Sequence, residues 1–179
     1  MSADRFDSTY QEGLRASVEN PRRRAFWAPR SRRRLAVVAL AALTLAAAGT
    51  YAAVVVAEGP AARGATIGFV VLLLLTAVLG TQLNIATRWV AGYTGLDEYQ
   101  RAEMARATKL GHHVTAVLMT LLIAVATGFG GALSALDWDG RLPLAVLVPM
   151  VVVTAMCHAS FPACYLAWTR PDEIPDEED

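Results

Sequence analysis

The stretch TRWVAGYTGLDEYQRAEMARATKLG, residues 87–111, decides how this chain is read. It is the long polar segment between hydrophobic ones, with two apolar blocks before it and two after it. Hydrophobic residues make up 55% of the 179 positions and charged residues 18%, and it is their distribution that is telling. The charges gather at the two ends and in 87–111, while the apolar residues come in long runs. A helix needs about 20 apolar residues to cross the hydrocarbon layer. Segments 35–57, 64–86, 112–136 and 142–168 meet that length without an Asp, Glu, Lys or Arg. The expected fold is therefore all-α: a four-transmembrane-helix bundle of two antiparallel hairpins, joined by a cytoplasmic amphipathic helix within the connector 87–111.

The flanks are strongly and oppositely charged, although the chain as a whole has no net charge. Residues 1–34 hold nine arginines against four acids, and PRRRAFWAPRSRRR, 21–34, packs seven of them into fourteen positions. Two prolines and this charge density predict a disordered arm. Its Arg22–Arg34 region suits anionic lipid head groups, with Trp27 at the interface. A basic arm also suits nucleic acid, but a membrane protein's basic flank already accounts for these arginines. Ser31-Arg32-Arg33-Arg34-Leu35 resembles a twin-arginine export signal. The following run is long enough to span and no small-residue cleavage site precedes Glu58, so an uncleaved anchor is expected. Residues 169–179, TRPDEIPDEED, hold one arginine against six acids and predict a disordered tail.

Small residues recur at helical spacing inside the spans and mark faces where helices approach closely. These are Ala42, Ala46 and Thr50 in the first span and Gly64 with Gly68 in the second. Thr76, Gly80 and Asn84 continue the second span's stripe, and Ala124, Gly128 and Ala132 form one in the third. Glu58-Gly59-Pro60 ends the first span, and Asp137-Trp138-Asp139-Gly140-Arg141 is a tight turn between the last two. Pro149 and Pro162 interrupt the fourth span, each removing a backbone hydrogen bond. Cys157 and Cys164 are roughly 10 Å apart along one helix, too far for a disulfide, and read as small buried hydrophobes.

Fourteen of the sixteen basic residues lie in 1–34, 87–111 and the tail; the two short loops hold only Arg63 and Arg141. The positive-inside rule then assigns both termini and the connector to the cytoplasm of a multi-pass cell-membrane protein.

The chemistry available is sparse. The sequence has no Walker loop, no G-x-G-x-x-G and no HExxH, so no enzyme, catalytic residue, metal site or cofactor site is expected. His112 and His113 fall at the cytoplasmic start of the third span. His158, ten residues before Trp168, falls roughly 15 Å deeper. That mismatch in depth argues against His112 and His158 acting together as haem ligands. An ionisable residue inside a span is nonetheless a functional candidate. Gln82, Asn84 and His158 form the candidate intramembrane polar path, against the plainer reading of packing contacts. No Asp, Glu, Lys or Arg inside a span supports coupled transport.

Within the connector, Thr94-Gly95-Leu96-Asp97 reads as a capping box opening a helix. Leu96, Tyr99, Ala107, Leu110 and Val114 share one face, and Asp97 precedes Arg101 by four, the better order for an ion pair. Glu103 falls in the apolar stripe with Arg106 three residues on, so its carboxylate must meet a cation or a partner. Leu96, Tyr99, Glu103, Arg106 and Leu110 are the candidate partner-docking residues, with a plain juxtamembrane connector as the alternative. The helix is expected to run into the third span, with Gly111 as a hinge. An apolar hairpin followed by Leu96-Asp97-Glu98-Tyr99-Gln100-Arg101 opening a basic helix resembles small uncharacterised multi-spanning membrane proteins of actinobacteria. Many of these carry an L-D-E-R-Q-R-like segment here, and Tyr99 stands where they have arginine. The resemblance spans about 64–168 and implies a fold without a mechanism. The expected function is a non-enzymatic membrane scaffold or regulatory subunit, engaging a membrane protein or a second copy of itself. The alternatives are a small transporter or channel and, behind it, a haem-binding electron carrier.

Overall fold

The computed structural model of the chain describes residues 3–90, 93–136 and 141–172. These form α1 (Ala3–Val18), α2 (Pro21–Trp27), α3 (Arg30–Val56), α4 (Gly59–Ala86), α5 (Glu98–Leu136) and α6 (Arg141–Thr169). Helices α3 to α6 are long and apolar enough to cross a membrane, which fits a multi-pass integral membrane protein. Their outer faces carry large apolar side chains such as Leu45, Ile67, Leu74, Val117 and Ile123, each more than 60% exposed. Such a surface suits lipid.

The four long helices stand in the order α4, α3, α6, α5. Helix α3 packs on both α4 and α6, and α5 packs chiefly on α6. The two hairpins thus meet through α3 and α6. Between α3 and α4, Gly80 lies against Leu40 and Gly68 against Thr50, with Tyr51 and Phe69 edge to face at 5.2 Å. Of the expected stripe on α4, Thr76 and Gly80 are buried, together with Leu83, while Asn84 is half-buried and Gly64 is exposed. On α3 the expected stripe is displaced: Ala42 and Ala46 are exposed, and Ala36, Leu40, Thr44, Ala47 and Ala48 are buried. An alanine-rich helix that is apolar all round offers several smooth faces, and spacing alone does not choose among them. The densest core is Ala36, Leu40, Leu83 and Ala167, flanked by Trp27, Val37, Leu79 and Cys164.

Threonine hydroxyls inside the spans are satisfied locally. Thr44, Thr50, Thr76, Thr81, Thr120, Thr127 and Thr154 each donate to the carbonyl four residues back. That removes the cost of an unpaired hydroxyl in hydrocarbon.

The ends of the helices depart from expectation in instructive ways. Prolines read as breakers in the basic arm act as helix starters. Asn20 Oδ1 accepts from the amides of Arg22 and Arg23, Pro21 sits in the first turn of α2, and Pro29 precedes α3. A first-turn proline costs nothing because its missing N–H has no helical partner there. Residues 3–18 and 21–27 are thus helical where a disordered arm is expected. For the same reason Gly59-Pro60 begins α4 instead of merely ending α3, and the loop shrinks to Ala57 and Glu58. Helix α5 begins at Glu98, four residues after the expected cap Thr94. Asp97 Oδ1 accepts from the Gln100 amide at 2.7 Å, while the Thr94 hydroxyl turns to Gln11 of α1. Helix α5 is continuous over 39 residues, about 58 Å, so the connector helix and third span are one rod. Gly111 is not a hinge: a Cβ there would lie 3.1 Å from Pro162 Cγ, so its bareness lets α6 approach. The turn 137–140 and the tail beyond 172 lie outside the described residues.

Helix α4 ends in a Schellman arrangement. The Trp89 amide donates to the Asn84 carbonyl at 2.9 Å and the Arg88 amide to Ile85 at 3.1 Å. Arg88 takes the left-handed position usually given to glycine, with φ of 58°. Left-handed backbone costs a non-glycine residue about 1–2 kcal/mol. Arg88→Gly is therefore expected to raise stability by about 1 kcal/mol in a detergent melt, and Arg88→Val to lower it. A destabilised Arg88→Gly protein would show that the Arg88 side chain does more than its long, 3.4 Å bond to Gln100 suggests.

Candidate functional site at the polar end of the helices

The start of α3, the end of α4, the start of α5 and the end of α6 meet at one end of the assembly, and most of the polar contacts of the described residues lie there. The last carbonyls of α6 have no helical donors. Arginines from the start of α3 supply them. Arg30 donates Nε and Nη2 to the Trp168 carbonyl at 3.2 and 3.1 Å, and Arg33 donates Nη2 to the carbonyls of Arg170 and Pro171. The exchange is mutual. Helix α3 has no side-chain cap of its own, and Asp172 Oδ1 accepts from the Arg30 amide. Cations thus sit at the negative end of one helix dipole and an anion at the positive end of the other. Arg33 is 1% exposed, and the Arg34 guanidinium lies 4.9 Å from the centre of the Trp168 ring.

Arg170 extends the network to the other two helices. Its Nε donates to Glu103 Oε2 of α5 and its Nη1 to the Thr87 carbonyl at the end of α4, both at 2.8 Å. This answers the question that Glu103 poses in the sequence: its carboxylate meets a cation of the same chain, 67 positions away. Glu103, Ala107 and Gly111, four residues apart, form the inner stripe of α5, with Ala107 fully buried. The other candidate docking residues are turned elsewhere. Tyr99 is 76% exposed, Arg106 and Leu110 are exposed, and Leu96 is half-buried. The expected Asp97–Arg101 pair is replaced by the Asp97 cap and by Arg101 Nε donating to the Leu96 carbonyl at 3.0 Å.

The loop after α4 docks on α1. Buried Tyr93 donates its hydroxyl to Glu19 Oε1 at 2.7 Å, and a Cβ on Gly95 would fall within 2.7 Å of the phenol, so only glycine fits beside it. Burial, followed by the bond to Glu19, raises the Tyr93 pKa above its ordinary value of 10.0.

The candidate polar path is not assembled as a unit. Asn84 borders a mostly apolar recess of about 350 Å³ shared with Leu14 and Val18 of α1 and with Trp89. Gln82 is half-buried on the same helix. His158 instead meets α5, where its Nδ1 lies 3.3 Å from the Thr115 hydroxyl and its ring stacks on His112 at 6.0 Å. The expected difference in depth between the two histidines is therefore wrong. Glu103 of α5 stands level with Arg170 at the end of α6, and from there His112 lies along α5 about as deep as His158 lies along α6. Among the described residues, no three His, Cys, Asp or Glu side chains converge as a metal site.

Sequence reasoning missed Arg170, Asp172 and the buried state of Arg33. The available signal is Arg170 itself, a lone cation directly after a span, where the helix's last carbonyls attract one.

Two measurements test this geometry. Glu103→Ala leaves Arg170 mostly buried without its counter-charge, and stability is expected to fall by about 2 kcal/mol, with coupling to Arg170→Met of about 1–2 kcal/mol in a double-mutant cycle. Additive effects would show that the pair is not a unit. A raised phenol pKa in the folded state adds stability below pH 10 that is lost as pH rises through the folded value. The melting temperature should therefore fall more steeply above pH 10 in wild type than in Tyr93→Phe, and parallel curves would contradict the buried bond to Glu19.

No family model, curated protein or solved structure matches the chain, so its function is argued from this geometry.

Proposed function

We propose that the protein is a non-enzymatic membrane scaffold or regulatory subunit with both termini in the cytoplasm. It engages another membrane protein through the first turns of α5. The single observation behind this reading is the exposed side of that helix beside Glu103. Glu103 turns inward to Arg170 and leaves Tyr99, Arg106 and Leu110 exposed on the part of the rod nearest the polar end. A large exposed aromatic beside a cation is the usual make-up of an interface anchor. The cytoplasmic orientation draws its support from fourteen of the sixteen basic residues lying in the three segments assigned to that side. Within the spans, glycines 128 and 130 have open space beside them, which leaves room for a second helix. The likeness of the 96–101 segment to small actinobacterial membrane proteins belongs with this reading and adds no mechanism to it.

The test is affinity capture of the tagged full chain in mild detergent. A stoichiometric heterologous partner is expected, lost in Tyr99→Ala and Arg106→Ala while the protein still folds. Retention of every partner by both variants would end the docking role of α5, and a homo-oligomer alone would favour the second reading. That reading is a small transporter or channel, favoured by His112, Thr115 and His158 meeting within the apolar helices. It requires transport in reconstituted vesicles that His158→Ala abolishes, and undiminished transport in that variant would remove the histidine from the path.

A further inference from the structure

One recess at the polar end is not explained by packing. Its volume is about 380 Å³, and it is bordered by Arg24 of α2, Arg88 after α4, Arg170 after α6, and Tyr99 and Gln100 in the first turn of α5. Asp97, Glu103 and Asp172 border it too, so its formal charges cancel. The two signs are not equally available. Each carboxylate is engaged: Asp97 accepts from the Gln100 amide, Glu103 from Arg170 and Asp172 from the Arg30 amide. The guanidiniums have capacity left. Arg24 meets no partner among the described residues, and Arg88 reaches Gln100 Oε1 only at 3.4 Å. Arg170 is held in place by Glu103 and the Thr87 carbonyl and adds its fixed charge to the wall. The first turn of α5 adds the positive end of its dipole to the same wall.

We infer that this recess binds a phosphate group, held by Arg24 and Arg88 with the charge of Arg170 behind them. Guanidinium groups match phosphate oxygens in geometry as well as charge. A phosphodiester, with one negative charge, suits the site better than a dianionic monoester, because the engaged carboxylates stand close by. The recess has room for part of the esterified group as well. This goes beyond a general attraction of the basic arm to anionic lipid. Of the arginines in 21–34, Arg30 and Arg33 are engaged on α6 and Arg34 is packed on Trp168, whereas Arg24 alone of that set borders the recess. The phosphodiester can come from the head group of an anionic phospholipid or from a soluble ester, and the site chemistry is the same.

The experiment is native mass spectrometry of the full chain in detergent, titrated with phosphatidylglycerol, phosphate-free diacylglycerol or soluble glycerophosphoglycerol. Phosphatidylglycerol is expected to bind about tenfold more tightly than diacylglycerol, and Arg24→Gln and Arg88→Gly each to weaken it about tenfold. Arg88→Gly suits the purpose because glycine favours the left-handed backbone there, so lost binding is not lost folding. Arg23→Gln, one residue outside the recess, should bind as wild type. If glycerophosphoglycerol binds with the same dependence on Arg24 and Arg88 while the lipid does not, the site stands and its occupant comes from solution. The site is overturned if Arg24→Gln and Arg88→Gly bind like wild type. An equal loss in Arg23→Gln, or no preference over diacylglycerol together with no binding of the soluble ester, would overturn it as well.

Discussion

A guanidinium buried to 1% exposure among apolar helices needs compensation, and Arg33 finds it in the carbonyls of Arg170 and Pro171 at the end of α6. Either group alone would be unfavourable there: a charge removed from water, or helix-end carbonyls without donors. Together the Arg33 Nη2 donor and those carbonyls satisfy each other. Arg30 repeats the arrangement on the Trp168 carbonyl, and Asp172 completes it by capping α3. Two antiparallel neighbours thus cap one another, through side chains that a single helix in isolation would leave in solvent.

The rest of the arrangement follows from that clasp. With the end of α6 held on α3, Arg170 stands where it reaches both Glu103 of α5 and the Thr87 carbonyl after α4. Glu103 in turn sets the register of α5 on α6: two turns further on, Gly111 meets Pro162, and just beyond it His112 lies beside His158. Van der Waals packing of small residues holds the helices along their length. Directional contacts at the polar end select one alignment among the many that smooth apolar rods permit.

The element types were legible because lipid demands them: long uncharged runs must be helices. The inner stripe of α4 was legible too, since Thr76 and Gly80 stand among larger residues that mark its other faces. The inner stripe of α3 was not, because alanine occupies several of its faces alike. Glu103 was recognisable as a residue needing a partner, but not as the partner of Arg170, since a contact across 67 positions depends on how two hairpins dock. The prolines at 21, 29 and 60 misled because proline breaks a helix interior and starts a helix equally well. The pairing of His112 with His158 was hidden because the register of α5 on α6 is set by the Glu103–Arg170 contact, which the sequence does not disclose.

The organising contacts lie at one end of the helices, where α3 and α6 cap one another through Arg33. Hydrogen exchange of the full chain in detergent, wild type against Arg33→Leu, reads that mutual capping. Protection is expected to fall together at residues 30–36 and 165–172, because each helix end loses its support when the other does. Protection lost at 30–36 alone, with the end of α6 unchanged, would contradict it.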